Sequence, residues 1–341
     1  ARLLKWNRVA NGRKMPWKGE KSPYKIWLSE IILQQTRVLQ GEAYYRNFIN
    51  NYPTVQHLAA AKDEQVFKLW EGLGYYTRCK NMLATARFIS TELNGVFPAN
   101  YLDLLKLKGV GPYTAAAIAS FAYNLPHAVV DGNVYRVLSR FFGMSVAVDS
   151  VEGKKIFAAL ANELIPKTKA ASFNQAIMDF GAVICKPQPA CPLCPLKSNC
   201  VAFKTKNITG YPIKIKKIIK KTRWFNYLVI QYKNAFYIRQ RLMKDIWQQL
   251  HEFILVESLT EMSTEKFLAE QSFVDLSDLQ LIQISPAYIQ QLTHQTIKAK
   301  FFYFRSQKKL GLKGYVLLNK KEIARYAFPQ IINEYFKSNE M

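Results

Sequence analysis

Two carboxylates and one group of cysteines are the residues of this sequence whose types and surroundings could support chemistry. Glu30 lies inside an almost continuous apolar run, IWLSEIIL. If that run is buried, loss of water raises the pKa of the carboxyl group and makes it a general acid at neutral pH. The alternative is a solvent-facing glutamate on a mostly buried helix. Asp131 opens a helix at Asp-Gly-Asn, directly after Val129-Val130, and the alternative to a functional acid there is an ordinary N-cap.

Four of the five cysteines lie within a short, proline-containing segment with the spacing C-x5-C-x2-C-x5-C. Thiols this close together are economically explained by a tetrathiolate site. One CxxC with two long arms favours a [4Fe–4S] cluster, and zinc is the alternative. The clustering is unlike a secreted disulfide protein, so we expect a reducing, intracellular setting. The four predicted ligands are Cys185, Cys191, Cys194 and Cys200, whereas Cys79 is expected to be a reduced structural thiol.

The charge balance indicates a polyanionic partner. The chain has 341 residues, 48 Lys and Arg against 24 Asp and Glu, and a formal net charge of +24. Nucleic acid is the first candidate and a membrane surface the second, although a basic chain can also be only a solvated surface. No apolar run approaches the ~18 residues that a membrane span requires.

A turn between two helices could bind a phosphate. An apolar helix around residues 102–107 leads into Lys108-Gly109-Val110-Gly111-Pro112, and a helix of small residues, 114–122, follows. The two glycines permit positive φ, and Pro112 is a good helix-start residue. Such a turn directs backbone N–H groups outward at a helix N-terminus. An ordinary helical pair is the alternative interpretation.

The remaining elements divide the chain into a helical front and a mixed rear. Ser22-Pro23 should begin a helix that runs to Thr36, and apolar spacing predicts helices across 42–95 and 151–184. Within the range 42–95, Leu73 lies between two glycines and could be a core residue or a wedge between bases. A basic segment, 201–223, follows the helical front. The rear part after it contains two strands joined at Lys233-Asn234, a strand at 297–304 and a last helix after Asn319.

Taken together, these residues resemble the MutY family of adenine DNA glycosylases over nearly the whole chain. The matching strings are MPWKGEKSPYKIWLSEIILQQT, LWEGLGYYTR, LKGVGPYTAAAIASFAYNLPHAVVDGNVYRVLSR and the cysteine cluster. The resemblance implies a multidomain protein: an all-α helix-hairpin-helix glycosylase domain with an iron–sulfur loop, and an α+β Nudix-like C-terminal domain. The implied boundaries are a glycosylase region at 1–203 (six-helix part about 16–125; iron–sulfur part about 1–15 plus 126–203), a basic linker at 204–223 and the Nudix-like domain at 224–341.

The resemblance also implies an activity, the hydrolytic removal of adenine paired with 8-oxoguanine, and with guanine, in base excision repair. Glu30 would protonate adenine, and Asp131 would stabilise the oxocarbenium-like sugar, with Tyr113 and Asn133 beside them. The endonuclease III branch has lysine at the Tyr113 position, where it forms a Schiff base; a phenol cannot. A monofunctional glycosylase is therefore expected.

Features of the sequence oppose three other functions. A bifunctional endonuclease III-like glycosylase/lyase for oxidised pyrimidines is opposed by Tyr113 and by the additional C-terminal domain. A non-catalytic DNA-damage binder would not need two acids near phosphates. An electron-transfer protein built on the cluster would not need the hairpin or so basic a chain.

DNA and lesion contacts are implied from both parts of the chain. The wedges would be Gln35 and Leu73, and a loop that reads Phe-Ser-His in many relatives reads Leu292-Thr293-His294 here. The family's arginine after Pro-Trp is Lys18, which exchanges a planar donor for a point charge. The expected DNA-binding set is Arg13, Trp17, Lys18, Gln35, Thr36, Leu73, Tyr75, Lys108, Gly109, Gly111, Thr293 and His294.

Three further expectations come with the resemblance. The region DIWQQLHEFILVE lacks the glutamate pattern of Nudix hydrolases, so the C-terminal domain should read the lesion and not hydrolyse nucleotides. The first cysteine arm has five intervening residues where the family usually has six. We expect a monomer bound to double-stranded DNA, without a membrane partner, in the cytoplasm of a bacterium and associated with its nucleoid.

Overall fold

A computed structural model describes residues 1–215, 219–270 and 274–339 of the chain. Contacts between Cα atoms group the residues into two units. The first, here called the helical unit, comprises 1–60 and 81–216; the second, the sheet unit, comprises 61–80 and 217–341.

In the described part of the chain, twelve α-helices precede the sheet, together with two short 3-10 helices, Cys191–Leu193 and Lys197–Asn199. The α-helices are α1 (Arg2–Val9), α2 (Pro23–Leu33), α3 (Val38–Asn51), α4 (Val55–Ala60), α5 (Asp63–Trp70), α6 (Thr77–Glu92), α7 (Tyr101–Leu105), α8 (Pro112–Tyr123), α9 (Gly132–Phe142), α10 (Val151–Leu164), α11 (Ala170–Val183) and α12 (Val201–Lys204). Of these, α5 and the first residues of α6 belong to the sheet unit.

Local chemistry explains why α2 begins where it does. The Ser22 side chain accepts a hydrogen bond from the backbone N–H of Lys25, and Pro23 occupies the first helical position. Both features were predicted from the sequence and are confirmed. Nearly the whole length of α2 is buried, and it packs on α8. Helix α8 is rich in alanine, which allows the two helices to approach closely.

The turn before α8 has the predicted hairpin form, with one difference. Gly109 has φ of +79°, and a Cβ there would lie 2.8 Å from the Asn81 Cβ, so glycine is required on both grounds. Gly111 is extended, with φ of −91°, and serves as the N-cap of α8. Of the two glycines that permit positive φ, only Gly109 therefore adopts the left-handed conformation.

An apolar core in the helical unit joins the N-terminal helix α1 to the helices that precede the cysteines. Trp6 of α1 meets Phe180 of α11 edge to face, with ring centroids 5.1 Å apart. Val137, Phe157 and Ile184 pack in the same cluster. Cys185, Cys194 and Leu196 of the cysteine segment pack against the same core.

The sheet unit is built on a mixed sheet followed by a C-terminal helix. Its elements are β1 (Lys221–Tyr232), β2 (Ala235–Gln240), β3 (His251–Glu252), β4 (Ile254–Ser258), α13 (Thr264–Glu270), β5 (Leu279–Ile284), β6 (Tyr288–Gln291), β7 (Gln295–Ser306), β8 (Val316–Asn319), α14 (Lys320–Ile323) and α15 (Gln330–Ser338).

Strands β1 and β7 form the centre of the sheet. They are parallel from Lys221↔Gln295 to Tyr232↔Ser306, while the other pairings are antiparallel. The strand order is β3-β2-β1-β7-β5, with β4 on β1, β6 on β7 and β8 on β2. Phe301 of β7 stacks on Tyr335 of α15 with centroids 4.0 Å apart, so the last helix covers the sheet.

The structure corrects three boundaries. The expected linker, 204–223, overlaps β1, which begins at Lys221 because an exposed lysine is tolerated at the end of a paired strand. The single helix expected after Asn319 is two helices, α14 and α15. Pro329 lies directly before α15, and because proline lacks a backbone N–H it is not suited to the interior of one continuous helix. Residues 61–80 group with the sheet unit and not with the segments on either side of them in sequence.

Among the described residues, no helix combines the length and the apolar character that crossing a membrane requires.

Candidate active site and DNA-binding surfaces

The predicted catalytic residues line one cleft of about 690 Å³ in the helical unit. Glu30 comes from α2, Tyr113 from the start of α8, and Asp131 and Asn133 from the start of α9. The cleft is also lined by the predicted DNA contacts Arg13, Trp17, Lys18, Gln35 and Thr36. Residues far apart in sequence thus share one opening.

Glu30 has the surroundings of a general acid. It is 7% exposed, and burial raises its pKa from an ordinary 4.5 to about 7, although a hydrogen bond from the Tyr113 hydroxyl opposes the rise and the charge of Asp131 adds to it. The carboxyl group is therefore partly protonated at neutral pH. Of the two interpretations available from sequence, burial in a cleft is the one observed.

Asp131 is both the N-cap of α9 and a member of the cleft. Its Oδ1 accepts hydrogen bonds from the backbone N–H groups of Asn133 at 2.9 Å and Val134 at 2.8 Å, and its Oδ2 accepts from Asn133 Nδ2 at 2.7 Å. Burial raises the pKa of Asp131, and these hydrogen bonds oppose the rise. The capping bonds hold the carboxylate in one orientation.

Arg136 fixes Asn133, and it was not identified from the sequence. Its Nη2 donates to Asn133 Oδ1 at 2.8 Å and to the Gly181 carbonyl at 2.7 Å, while Nε donates to the Cys185 carbonyl at 2.7 Å. Because Asn133 Oδ1 is occupied by the guanidinium, its Nδ2 must face Asp131. Cys185, the first predicted cysteine ligand, is thus connected to Asp131 through the side chains of Arg136 and Asn133.

Asp179 is a second residue that the motif analysis missed. Its fully buried side chain accepts from Arg13 Nη1 at 2.8 Å, Lys18 Nζ at 2.9 Å and Asn11 Nδ2 at 2.8 Å. Arg13 and Lys18 therefore line the cleft while bound to α11, so their first role is to hold residues 11–18 in place. The signal was available, because Asp179, like Glu30, interrupts an apolar helical run.

The hairpin residues lie outside the lining of the cleft. Lys108, Gly109 and Gly111 are exposed, and the Lys108 carbonyl accepts from Thr85 Oγ1 at 2.7 Å. Gly111 provides no side-chain cap for the first turn of α8, whose N–H groups are thus suited to an anion. Tyr113, which lines the cleft, lies in the first turn of the same helix.

The other predicted lesion contacts line a different cavity, of about 460 Å³, within the sheet unit. It includes Leu73, Tyr75, Thr293 and His294, and the hydroxyl groups of Tyr75 and Thr293 are hydrogen-bonded to each other. Leu73 is only 6% exposed, so the side chain must leave this position to act as a wedge.

Two of the predicted contacts have a backbone conformation that side chains rarely adopt. Gln35 has φ of 58° and Tyr75 has φ of 46°. Such residues are strained and persist where the surroundings hold them. Both lie on the loops expected to touch the DNA, one in each unit.

The four clustered cysteines line one small cavity of about 30 Å³. Arg140, which is buried, lines it too; its Nη1 lies 3.7 Å from Cys185 Sγ and donates to the Lys186 carbonyl at 2.8 Å. Burial raises the pKa of the Cys185 and Cys194 thiols. No three His, Cys, Asp or Glu side chains among the described residues converge on one point as a single metal ion would require. Four thiols around one shared cavity, beside the buried guanidinium of Arg140, are a donor set that suits a thiolate-bound metal centre.

Comparison with known proteins gives these features a family. The model of the HhH-GPD superfamily base excision DNA repair proteins matches residues 28–167. An adenine DNA glycosylase of Buchnera aphidicola subsp. Schizaphis graminum (strain Sg) is 37% identical over 347 residues, covering 98% of this chain and 97% of that protein. The adenine DNA glycosylase of Homo sapiens is 40% identical over 210 residues, covering 59% of this chain and 38% of that one.

The chain belongs to the adenine DNA glycosylase family.

Solved structures agree on the fold of the front part. A thermostable thymine-DNA glycosylase superposes with a TM-score of 0.56 at 30% identity, covering 60% of this chain and 94% of that one. An endonuclease III trapped as a covalent DNA intermediate has a TM-score of 0.51 at 23% identity, over 60% of this chain and 93% of that one, and shows the fold alone. The helical unit therefore has the HhH-GPD glycosylase fold.

Membership in the adenine DNA glycosylase family also gives the class of enzyme. This glycosylase is a monofunctional DNA N-glycosylase, which hydrolyses the bond between a base and its sugar. Tyr113 agrees with that class, because its phenol, in the same cleft as Glu30 and Asp131, cannot form a Schiff base with the sugar.

Proposed function

We propose that this glycosylase removes adenine paired with 8-oxoguanine, and with guanine, as a step of base excision repair. The observation that carries the proposal is the protonatable Glu30 in the same cleft as the hydrogen-bonded Asp131, in a chain 37% identical to a named adenine DNA glycosylase. The two acids have separate environments, as a pair with separate acid and anion roles requires.

The proposed reaction begins when adenine leaves the base stack and enters the cleft. Glu30 donates its proton to a ring nitrogen of adenine, such as N7, which turns the base into a good leaving group. As the N-glycosidic bond breaks, the sugar becomes oxocarbenium-like, and the Asp131 carboxylate stabilises its positive charge or forms a transient bond to it. Glu30, now ionised, accepts a proton from the water that completes hydrolysis.

Recognition of 8-oxoguanine is proposed for the 460 Å³ cavity. Its supports are the paired hydroxyl groups of Tyr75 and Thr293 and the adjacent His294, which together offer hydrogen-bonding groups beside Leu73. Gln35, strained and exposed in the helical unit, is proposed as the second wedge. The Thr293 hydroxyl serves where many relatives have serine.

The sheet unit is proposed to be Nudix-like without nucleotide hydrolysis. Three of its acids are paired with arginines: Glu252 is 1% exposed and pairs with Arg239 and Arg241, while Arg223 binds Asp245 and Glu257. Carboxylates held in this way are not arranged to bind a divalent cation.

We also propose that Cys185, Cys191, Cys194 and Cys200 hold one [4Fe–4S] cluster. The proposal is supported by the chemistry of the four thiols that share one cavity and by their spacing, one CxxC with two long arms; zinc is the alternative. When bound, the cluster supplies a cross-link that orders a basic loop containing Lys186 and Lys197 for phosphate contact. The expected species is an intracellular monomer on double-stranded DNA.

The test of the activity is single-turnover release of adenine from a duplex with adenine opposite 8-oxoguanine. Products are separated with and without hot alkali. Strand cleavage that appears only after alkali supports the proposal, and cleavage without alkali shows a lyase step. Tight binding without release indicates a non-catalytic binder. The cofactor is tested separately, by counting iron and zinc per chain and by the visible absorbance of the purified protein.

A further inference from the structure

The Gly-Leu-Gly loop, here residues 72–76, is internally braced. Trp70 Nε1 donates to the Gly74 carbonyl at 3.0 Å, and the Gly72 N–H donates to the Tyr76 hydroxyl at 3.2 Å. Arg78 Nη2 donates to the carbonyls of Leu73 at 3.1 Å and Gly74 at 3.2 Å. Because these bonds lie within the loop and its ends, the loop moves as one piece, and its place is set by what holds it from outside.

The carboxylate of Glu71, directly before the loop, provides one attachment of the loop to the C-terminal segment. Glu71 Oε1 accepts from the Phe328 N–H at 2.8 Å and from Asn333 Nδ2 at 2.9 Å. Its Oε2 accepts from Lys68 Nζ at 2.8 Å, and the same ammonium group donates to the Tyr326 carbonyl at 2.9 Å. Both partners in the C-terminal segment belong to the sheet unit, as Glu71 does.

The attachment lies immediately before the side chains proposed to read the lesion. Leu73 is two residues from Glu71, and Tyr75 is four residues away and bonded to Thr293. A loop tied at Glu71 to residues 328–333 and at Tyr75 to Thr293 has two fixed points on the same unit. Loss of the first point removes the loop's hydrogen bonds to residues 328–333, so its placement against Thr293 can change.

We infer that Glu71 is a positioning residue for lesion specificity, through which the C-terminal helix sets the placement of the Gly-Leu-Gly loop against Thr293. This inference rests on the proposed recognition of 8-oxoguanine. Glu71 lies outside the lining of the catalytic cleft. Its removal should thus change which opposite base is preferred and leave the bond-breaking step itself intact.

The test compares single-turnover rate constants for adenine opposite 8-oxoguanine and opposite guanine. In Glu71→Ala we expect the ratio of the two to fall about tenfold, with the guanine rate constant within about twofold of wild type, roughly the effect of losing one hydrogen-bonded charge. Glu71→Gln keeps one acceptor oxygen but turns an amide towards Lys68, so its ratio should be intermediate. The matched control is Glu64→Ala, which changes an exposed glutamate of α5, the helix that ends just before Glu71, and should leave the ratio unchanged.

Two results would overturn the inference. One is an unchanged ratio in both Glu71 variants; the other is an equal fall of both rate constants, which would make Glu71 a general stability residue. If Glu71→Ala does not fold, Glu71→Gln decides alone. If the wild-type protein shows no preference for 8-oxoguanine over guanine, that result contradicts the proposed function and not this inference. The wild-type measurement alone distinguishes the two failures.

Discussion

Replacement of Glu30 by glutamine should stabilise the protein, and the gain should appear only as pH rises. Glu30 has its pKa raised to about 7 by burial, from an ordinary 4.5 that we take for the unfolded chain. Below pH 4.5 it is protonated in both states. Between the two values only the folded state holds the proton, so stability falls as pH rises, and above about 7 the loss is complete.

The size of the effect follows from the same values. Each pKa unit corresponds to about 1.4 kcal/mol, so the rise from 4.5 to about 7 amounts to about 3 kcal/mol at alkaline pH. Glutamine stays neutral and can still accept the hydrogen bond from Tyr113, so Glu30→Gln avoids this loss. Urea unfolding followed by tryptophan fluorescence should show equal stability at pH 4 and a more stable variant at pH 8.

The control is Glu163→Gln, which changes an exposed glutamate of α10 in the same unit. It should show no such divergence between pH 4 and pH 8. A constant difference between wild type and Glu30→Gln across this range, or a less stable variant at pH 8, would refute the assignment of Glu30 as a buried, protonatable acid.

Three more predictions follow from the contacts of the cleft. Tyr113→Phe removes the hydrogen bond that lowers the pKa of Glu30, so the alkaline fall in excision rate should move to higher pH by about one unit; a shift to lower pH would contradict this. Arg136→Met frees the Asn133 amide and should slow single-turnover excision at least ~10-fold without weakening duplex binding, whereas an equal loss of both would show a general folding defect. Asp179→Asn removes a buried acid from its two basic partners and should lower the free energy of unfolding by roughly 3 kcal/mol in urea titrations; no change would mean that those pairs are not formed.

Features governed by neighbouring residues could be predicted from the sequence. Ser22 and Pro23 start α2, and Asp131 caps α9, because caps and first-turn prolines act within three residues. The hairpin before α8 follows from its glycines and proline in the same way. The burial of Glu30 was one of two open interpretations, since an apolar run shows that a helix is buried but not which of its faces lines a cleft.

Features that depend on distant parts of the chain could not be predicted. Nothing near Asp179 indicates Arg13, 166 residues away, as its partner. The grouping of residues 61–80 with the sheet depends on contacts such as Glu71 with Asn333, 262 residues apart. The paired hydroxyl groups of Tyr75 and Thr293 are equally remote in sequence, although both residues had been singled out separately.

The most direct test of the proposed mechanism is the pH dependence of single-turnover adenine release. In the acidic range, the rate constant should increase with increasing pH as Asp131 becomes ionised. Burial raises the pKa of Asp131 above its usual value. The rate constant should fall about tenfold per pH unit above about 7, as Glu30 loses its proton. A rate constant that stays level to pH 9, or the same alkaline fall in Glu30→Gln, would show that Glu30 is not the acid that releases the base.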